Sequence, residues 1–185
     1  MVIIEPLSGK SAAEQQIEII ERKGTGHPDT MCDSIMEAVS LALAEKYVEE
    51  FGSILHYNID KGLLAAGRTE VEFGGGRVLK PMELIIGDRA TFSAAGKSVP
   101  VAEIAVNAAK EWIGANMRHV DPEKHLEYRT VLAPGSEELA DIFRRPGEMR
   151  VANDTSAAVG YYPLSCTEMV VLELERYLNS KEFKA

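Results

Sequence analysis

The residues best suited to chemistry stand in ERKGTGHPDTMCDS, residues 21–34. Gly24 and Gly26 leave backbone N–H groups unencumbered just ahead of Pro28, a residue favoured at the first position of a helix. A helix N-terminus carries roughly half a positive charge and several unpaired donors, so it suits a phosphate. His27 adds a hydrogen-bond donor to the same anion. Asp29 and Asp33 are one helical turn apart and share a face. Hard carboxylates beside a phosphate are what Mg2+ takes, and Glu21 lies just upstream of them. The same residues also make an ordinary helix start, because an early Asp complements the helix dipole and glycines make turns. Spacing leaves both readings open.

A second segment of interest is VANDTSAAVGYYPLS, residues 151–165. Asp154 sits at a turn among small residues, followed by Gly160 and Tyr161 and then a helix cap at Ser165. Long polar loops between elements are where function concentrates, although an Asx-turn at Asp154 accounts for the same pattern. FGGGR, residues 73–77, reads as a turn or bulge and lacks the Lys-Ser/Thr of a phosphate-binding loop. His119 and His125 flank VDPEK and read as surface residues. Cys32 and Cys166 have no metal-type spacing and no thiol-activating motif around them.

These candidates must be held by regular elements. QQIEIIE, residues 15–21, alternates as a strand does. Met31, Ile35, Val39, Leu43 and Tyr47 then recur at helical spacing from Pro28 to about Phe51. SILHYNI and LLAAGRTEVEF read as strands broken near Lys61-Gly62 and stopped at Gly74–Gly76, and RVLKPMELIIG and RATFS continue the sheet to a turn at 94–98. Pro100 opens a second helix with Val101, Ile104, Ala105, Ala108, Trp112 and Ile113 on one face. LEYRTVL is a further strand, and Ser136 begins a short helix. Ser165 and Glu168 form a capping box for the last helix. The mixture predicts an α+β fold, a mixed or antiparallel sheet covered on one side by long helices.

Composition narrows the partners. The chain has 185 residues, a net charge of -9 and 45% hydrophobic residues. Such an acidic balance argues against a nucleic-acid or anionic membrane surface as the main partner. No apolar run approaches the ~20 residues that span a bilayer. The N-terminus lacks a signal-peptide pattern, and two distant cysteines fit a reducing compartment, so a cytoplasmic protein is expected.

Taken together, ERKGTGHPDTMCDSIMEAVS, AGRTEVEFGGGRV, RHVD and ANDTSAAVGYYPLSCTE resemble the S-adenosylmethionine synthetase (methionine adenosyltransferase) family, in its archaeal-type branch. The resemblance runs over nearly the whole chain but covers only the first half of the family's length. It implies ATP and L-methionine as substrates, Mg2+ and also K+ as cations, and a homodimer with active sites between subunits. It implies that His27 contacts the triphosphate, with Gly26 beside it. Asp29 would bind Mg2+, supported by Asp33, with Glu21 at a second metal position. Asp154, Gly160 and Tyr161 would shape the methionine or nucleoside pocket, and Asp60 would serve a monovalent cation. Ile59, Lys61 and Cys166 depart from the family pattern. The division implied is a segment 1–20 packing with a neighbouring unit, an α+β domain over 21–150, and residues 151–185 beginning the next unit. The cations that the family supplies in its second half lie outside this sequence. The chain alone is therefore expected to be inactive, and the alternative is a non-catalytic module that binds a nucleotide or pairs with a synthetase.

Overall fold

The computed structural model describes residues 3–6, 8–135 and 162–184. The chain divides into two units, Gly26–Val151 and a second formed by Met1–Thr25 with Ala152–Ala185.

The larger unit begins with helix α1, Pro28–Phe51. Pro28 supplies a preset φ where no amide donor is needed, and Gly52 ends the helix at φ 70, where its N–H reaches the Val48 carbonyl. The periodic residues Met31, Ile35, Val39, Leu43 and Tyr47 are all buried, as their spacing predicts. The chain then makes β1 (Asn58–Ala65), the hairpin of β2 (Arg68–Glu72) and β3 (Gly75–Lys80), and the long β4 (Met82–Ala90). The short strands β5 (Ser93–Ala94) and β6 (Lys97–Ser98) follow, then α2 (Val101–Asn116) and β7 (Leu126–Pro134).

The central sheet has the order β1-β4-β7, antiparallel between β1 and β4 and parallel between β4 and β7. The fold is α+β with a mixed sheet. Alternation along β4 sets the core: Leu84 and Ile86 are fully buried in one cluster with Ile59, Leu126 and the buried residues of α1 and α2. The Tyr47 hydroxyl closes this core by accepting from the Thr91 amide at 3.0 Å and donating to its carbonyl at 2.8 Å. Burial pushes its pKa up to about 12.

Several expectations shift. No strand break falls at Lys61-Gly62; β1 runs through it with a bulge between Asn58 and Lys61, and the chain turns instead at Ala66-Gly67. Gly67 is there because its neighbours are: a side chain on it would collide with the Lys80 carbonyl oxygen and stand 2.9 Å from the Met82 nitrogen. The glycine triplet does not stop the sheet. It turns β2 into β3, with Gly74 and Gly76 at φ 82 and 155.

In the second unit, residues 15–21 are not a strand. Ala12–Glu14 form a 3-10 turn and the following residues run irregularly, with Ile17 and Ile19 exposed. A strand needs a neighbour for its backbone groups, and none pairs with it among the described residues. Helix α3 (Cys166–Asn179) carries the expected capping box: Ser165 Oγ accepts from the Glu168 amide, and the Glu168 carboxylate accepts from the Ser165 amide. A short turn of helix, α4 (Lys181–Lys184), ends the description. Arg22 pairs with Glu175 of α3 within this unit. The expected helix after Ser136 lies outside the described residues.

Candidate functional site at the start of α1

His27 is the N-cap of α1. Its Nδ1 accepts from the Asp29 amide at 3.1 Å, and its backbone carbonyl takes the first helical bond from Met31. A ring nitrogen that accepts carries no hydrogen, so in the neutral ring the N–H is at Nε2, directed away from the cap. The Asp29 carboxylate lies 3.9 Å from Nδ1 and is well exposed. The helix start thus offers backbone donors, one imidazole N–H and one hard carboxylate. The choice between cap and site dissolves here, because capping by Nδ1 is what frees Nε2–H to donate.

Pro28, next in sequence, forms part of the wall of a cleft of about 660 Å³. The β2–β3 hairpin contributes Arg68, Val71, Arg77, Val78 and Lys80, and the loop between α2 and β7 contributes His119, Val120 and His125. That loop is firmly built. The Tyr128 hydroxyl donates to the Pro122 carbonyl at 2.8 Å, and the Met82 amide donates to the His125 carbonyl at 3.0 Å. His125 repeats the arrangement at His27: its Nδ1 accepts from the Asp121 amide at 3.0 Å, leaving Nε2 to carry the hydrogen.

Within the larger unit the other described candidates do not gather at this helix start. Asp33 is exposed on α1 and lines a separate groove with Glu37, Leu41 and Trp112. Asp60 is on β1, held 2.8 Å from the Lys61 ammonium. Lys61 and then a hydrogen bond with Asp88 hold its carboxyl below the usual range, while burial and Asp60 push Asp88 up. Glu21 is exposed in the smaller unit. Gly26 directly precedes the cap. Asp154, Gly160 and Tyr161 lie outside the described residues. Among the described residues no three acidic, histidine or cysteine side chains converge as a metal shell.

Mg2+ is content with one or two carboxylates when substrate phosphates supply further oxygens, and Asp29 fits that donor chemistry. Asp60 fits a cation poorly, since Lys61 already occupies its carboxylate. Sequence reasoning passed over Arg68, Lys80 and the cleft role of His125. The signal was a Gly-centred hairpin that brings two distant cations opposite each other, and it needs the strand register to be seen.

Fold and site define a class: an α+β protein whose main helix starts in an anion-competent cap beside a basic-rimmed cleft. Comparison with known proteins makes the family plain. The model of the S-adenosylmethionine synthetase (AdoMet synthetase) family matches residues 1–185, and the chain belongs to that family. It is 43% identical over 186 residues to the "Probable S-adenosylmethionine synthase" of Aquifex aeolicus. It is 42% identical over 183 residues to the S-adenosylmethionine synthase of Methanothermobacter thermautotrophicus, and 44% over 190 residues to that of Methanocaldococcus jannaschii. In each case 99% of this chain is matched, against 46–47% of the relative. The chain spans about half the length of the curated relatives it matches.

Proposed function

We propose that the chain is the N-terminal portion of a methionine adenosyltransferase, which makes S-adenosylmethionine from ATP and L-methionine. In this reaction the methionine sulfur attacks C5′ of the ribose, the C5′–O bond breaks, and the triphosphate departs with the bonding electrons, later to be hydrolysed to phosphate and diphosphate. The catalytic need is to hold negative charge that grows on the leaving oxygens. His27 meets it with Nε2–H, fixed in direction by the cap bond that Nδ1 accepts from the Asp29 amide. The first-turn amides and the helix dipole add to that field without reorganising. Asp29 would hold Mg2+, which would supply neutralisation of the phosphate charge. Asp154, Gly160 and Tyr161 contribute to the methionine and nucleoside pocket. The free thiols of Cys32 and Cys166 fit a cytoplasmic setting.

The observation that carries this reading is the capped His27 at the head of α1 in a chain of this family. Calorimetry with Mg2+ and a non-hydrolysable ATP analogue tests it. Binding that is lost in His27→Asn and loses its Mg2+ dependence in Asp29→Asn supports it; unaltered binding in both overturns it.

A second reading, a nucleotide-binding or synthetase-pairing module without turnover, is favoured by one observation. Lys61 occupies the Asp60 carboxylate that a monovalent cation would need. Assaying S-adenosylmethionine formation after adding the C-terminal half of a family synthetase separates the two: restored turnover supports the enzyme portion, and pairing without turnover supports the module. The chain on its own is expected to show binding without appreciable turnover.

A further inference from the structure

The cleft beside Pro28 has a chemistry of its own. Arg68 and Lys80 are direct register partners across the β2–β3 hairpin, and both line it. Like charges set opposite each other destabilise a strand pair. Neither has an ion-pair partner among the described residues. The one carboxylate in the lining, Glu70, is taken by Arg77. His125 adds an Nε2–H donor held in place by the Asp121 amide. Leu64, Val71, Val78, Met82 and Val120 make apolar patches in the wall, beside the polar Thr69 and His119. Gly67 locks the base of the hairpin against the Lys80–Met82 corner, so the cations stand on a fixed rim.

We propose that this cleft is an anion-binding site in which Arg68, Lys80 and His125 Nε2–H hold the phosphoryl end of a small molecule while the apolar patches take its body. Two facing cations match the charge of about -2 on a phosphate monoester, whereas a carboxylate neutralises only one. A cleft of about 660 Å³ is the size that encloses a nucleotide-sized ligand. The inference rests on the cleft itself and goes beyond the reaction proposed above.

Calorimetry on the purified protein with inorganic phosphate, inorganic pyrophosphate, AMP and L-methionine tests it. Pyrophosphate and AMP should bind with affinities that fall as salt rises, AMP more tightly than inorganic phosphate. The Arg68→Ala/Lys80→Ala double variant should weaken both by about tenfold or more, and His125→Gln by less. Lys97→Ala, an exposed cation of the same unit that does not line the cleft, should leave these affinities unchanged. Unchanged pyrophosphate affinity in the double variant overturns the proposal, as does failure of either probe to bind the native protein. L-methionine binding as tightly as AMP, through the same two cations, overturns the phosphoryl assignment.

Thermal melts guard against a folding artefact. The unliganded double variant should melt no lower than the native protein, since a repulsion has been removed, and pyrophosphate should raise only the native melting temperature. Arg68→Lys, which keeps the charge, should retain binding. His27→Asn distinguishes this site from the helix start. If that variant abolishes pyrophosphate binding while the double variant keeps it, the anion sits on α1 and the cleft proposal fails. If His27→Asn loses only the Mg2+-ATP analogue, both readings stand.

Discussion

His27 is a helix cap and, in the proposed reaction, a hydrogen-bond donor to the phosphate, and the two roles respond to different substitutions. Asn caps as well as any residue, so His27→Asn should leave stability within about 0.5 kcal/mol, whereas His27→Ala should cost about 1 kcal/mol. Both should lose binding of the Mg2+-ATP analogue. Chemical denaturation beside calorimetry separates the effects, and a His27→Asn protein that binds normally would remove the donor role. Asp88 gives a second test at this scale. It is a non-glycine residue at φ 96, beside Asp60 on the neighbouring strand and close to Lys61 and Arg89. Burial, then Asp60, raise its pKa, so the folded chain holds a proton that the unfolded chain has released. Stability is therefore lost as pH rises from the ordinary carboxylate range through the raised value. Asp60 has the opposite sign: Lys61 lowers it, and its contribution is lost only as pH falls. Asp88→Asn tolerates the positive φ and removes the repulsion. It should raise stability near neutral pH by about 0.5 kcal/mol after solvent screening, and by less at pH 4. Urea melts at the two pH values check this, and an equal gain at both would refute the electrostatic account.

At the scale of elements, the β2–β3 hairpin depends on one glycine. A methyl group at position 67 meets backbone on the facing corner, which cannot swing aside as a side chain would. Gly67→Ala should cost about 1–3 kcal/mol and weaken pyrophosphate binding together with it, because the basic rim moves. A variant as stable as the native chain would show that the corner is not closely packed in solution. What could be read from the sequence follows from the range of the forces involved. Helix α1 was legible because its periodicity and its proline are local, and the box at Ser165–Glu168 spans one turn. Strand ends were not. Lys61-Gly62 looks like a break, yet Gly62 lies inside β1 because Met36 of α1 occupies the space a side chain would fill. Residues 15–21 alternate like a strand without one to pair with among the described residues. The same limit applies to the site. His27 and Asp29 are neighbours in sequence and were found there, whereas Arg68, Lys80 and His125 come together only through the hairpin register and the Tyr128-braced loop.

At the scale of the molecule, the sheet of the larger unit is covered unequally. Leu84 and Ile86 of β4 are buried with α1 and α2, while Leu63 and Val131, on the flanking strands β1 and β7, are 58% and 53% exposed. Register sets Leu63 beside Ile85, and Val131 beside Gly87, whose lack of a side chain leaves that face flat. Water gains when such a surface is covered, and a specific dimer covers on the order of 1,600 Å² in total. The chain should therefore self-associate, and Leu63→Asp with Val131→Asp should shift it to monomer without loss of helix signal. The apolar clusters behind the sheet are untouched by these changes, so melting temperature measured at low concentration should stay within about 2–4 °C of the native value. Light scattering across a concentration series reads the outcome. A native chain that stays monomeric throughout would place the cover of this face elsewhere. An aspartate variant that stays dimeric would move the interface away from β1 and β7.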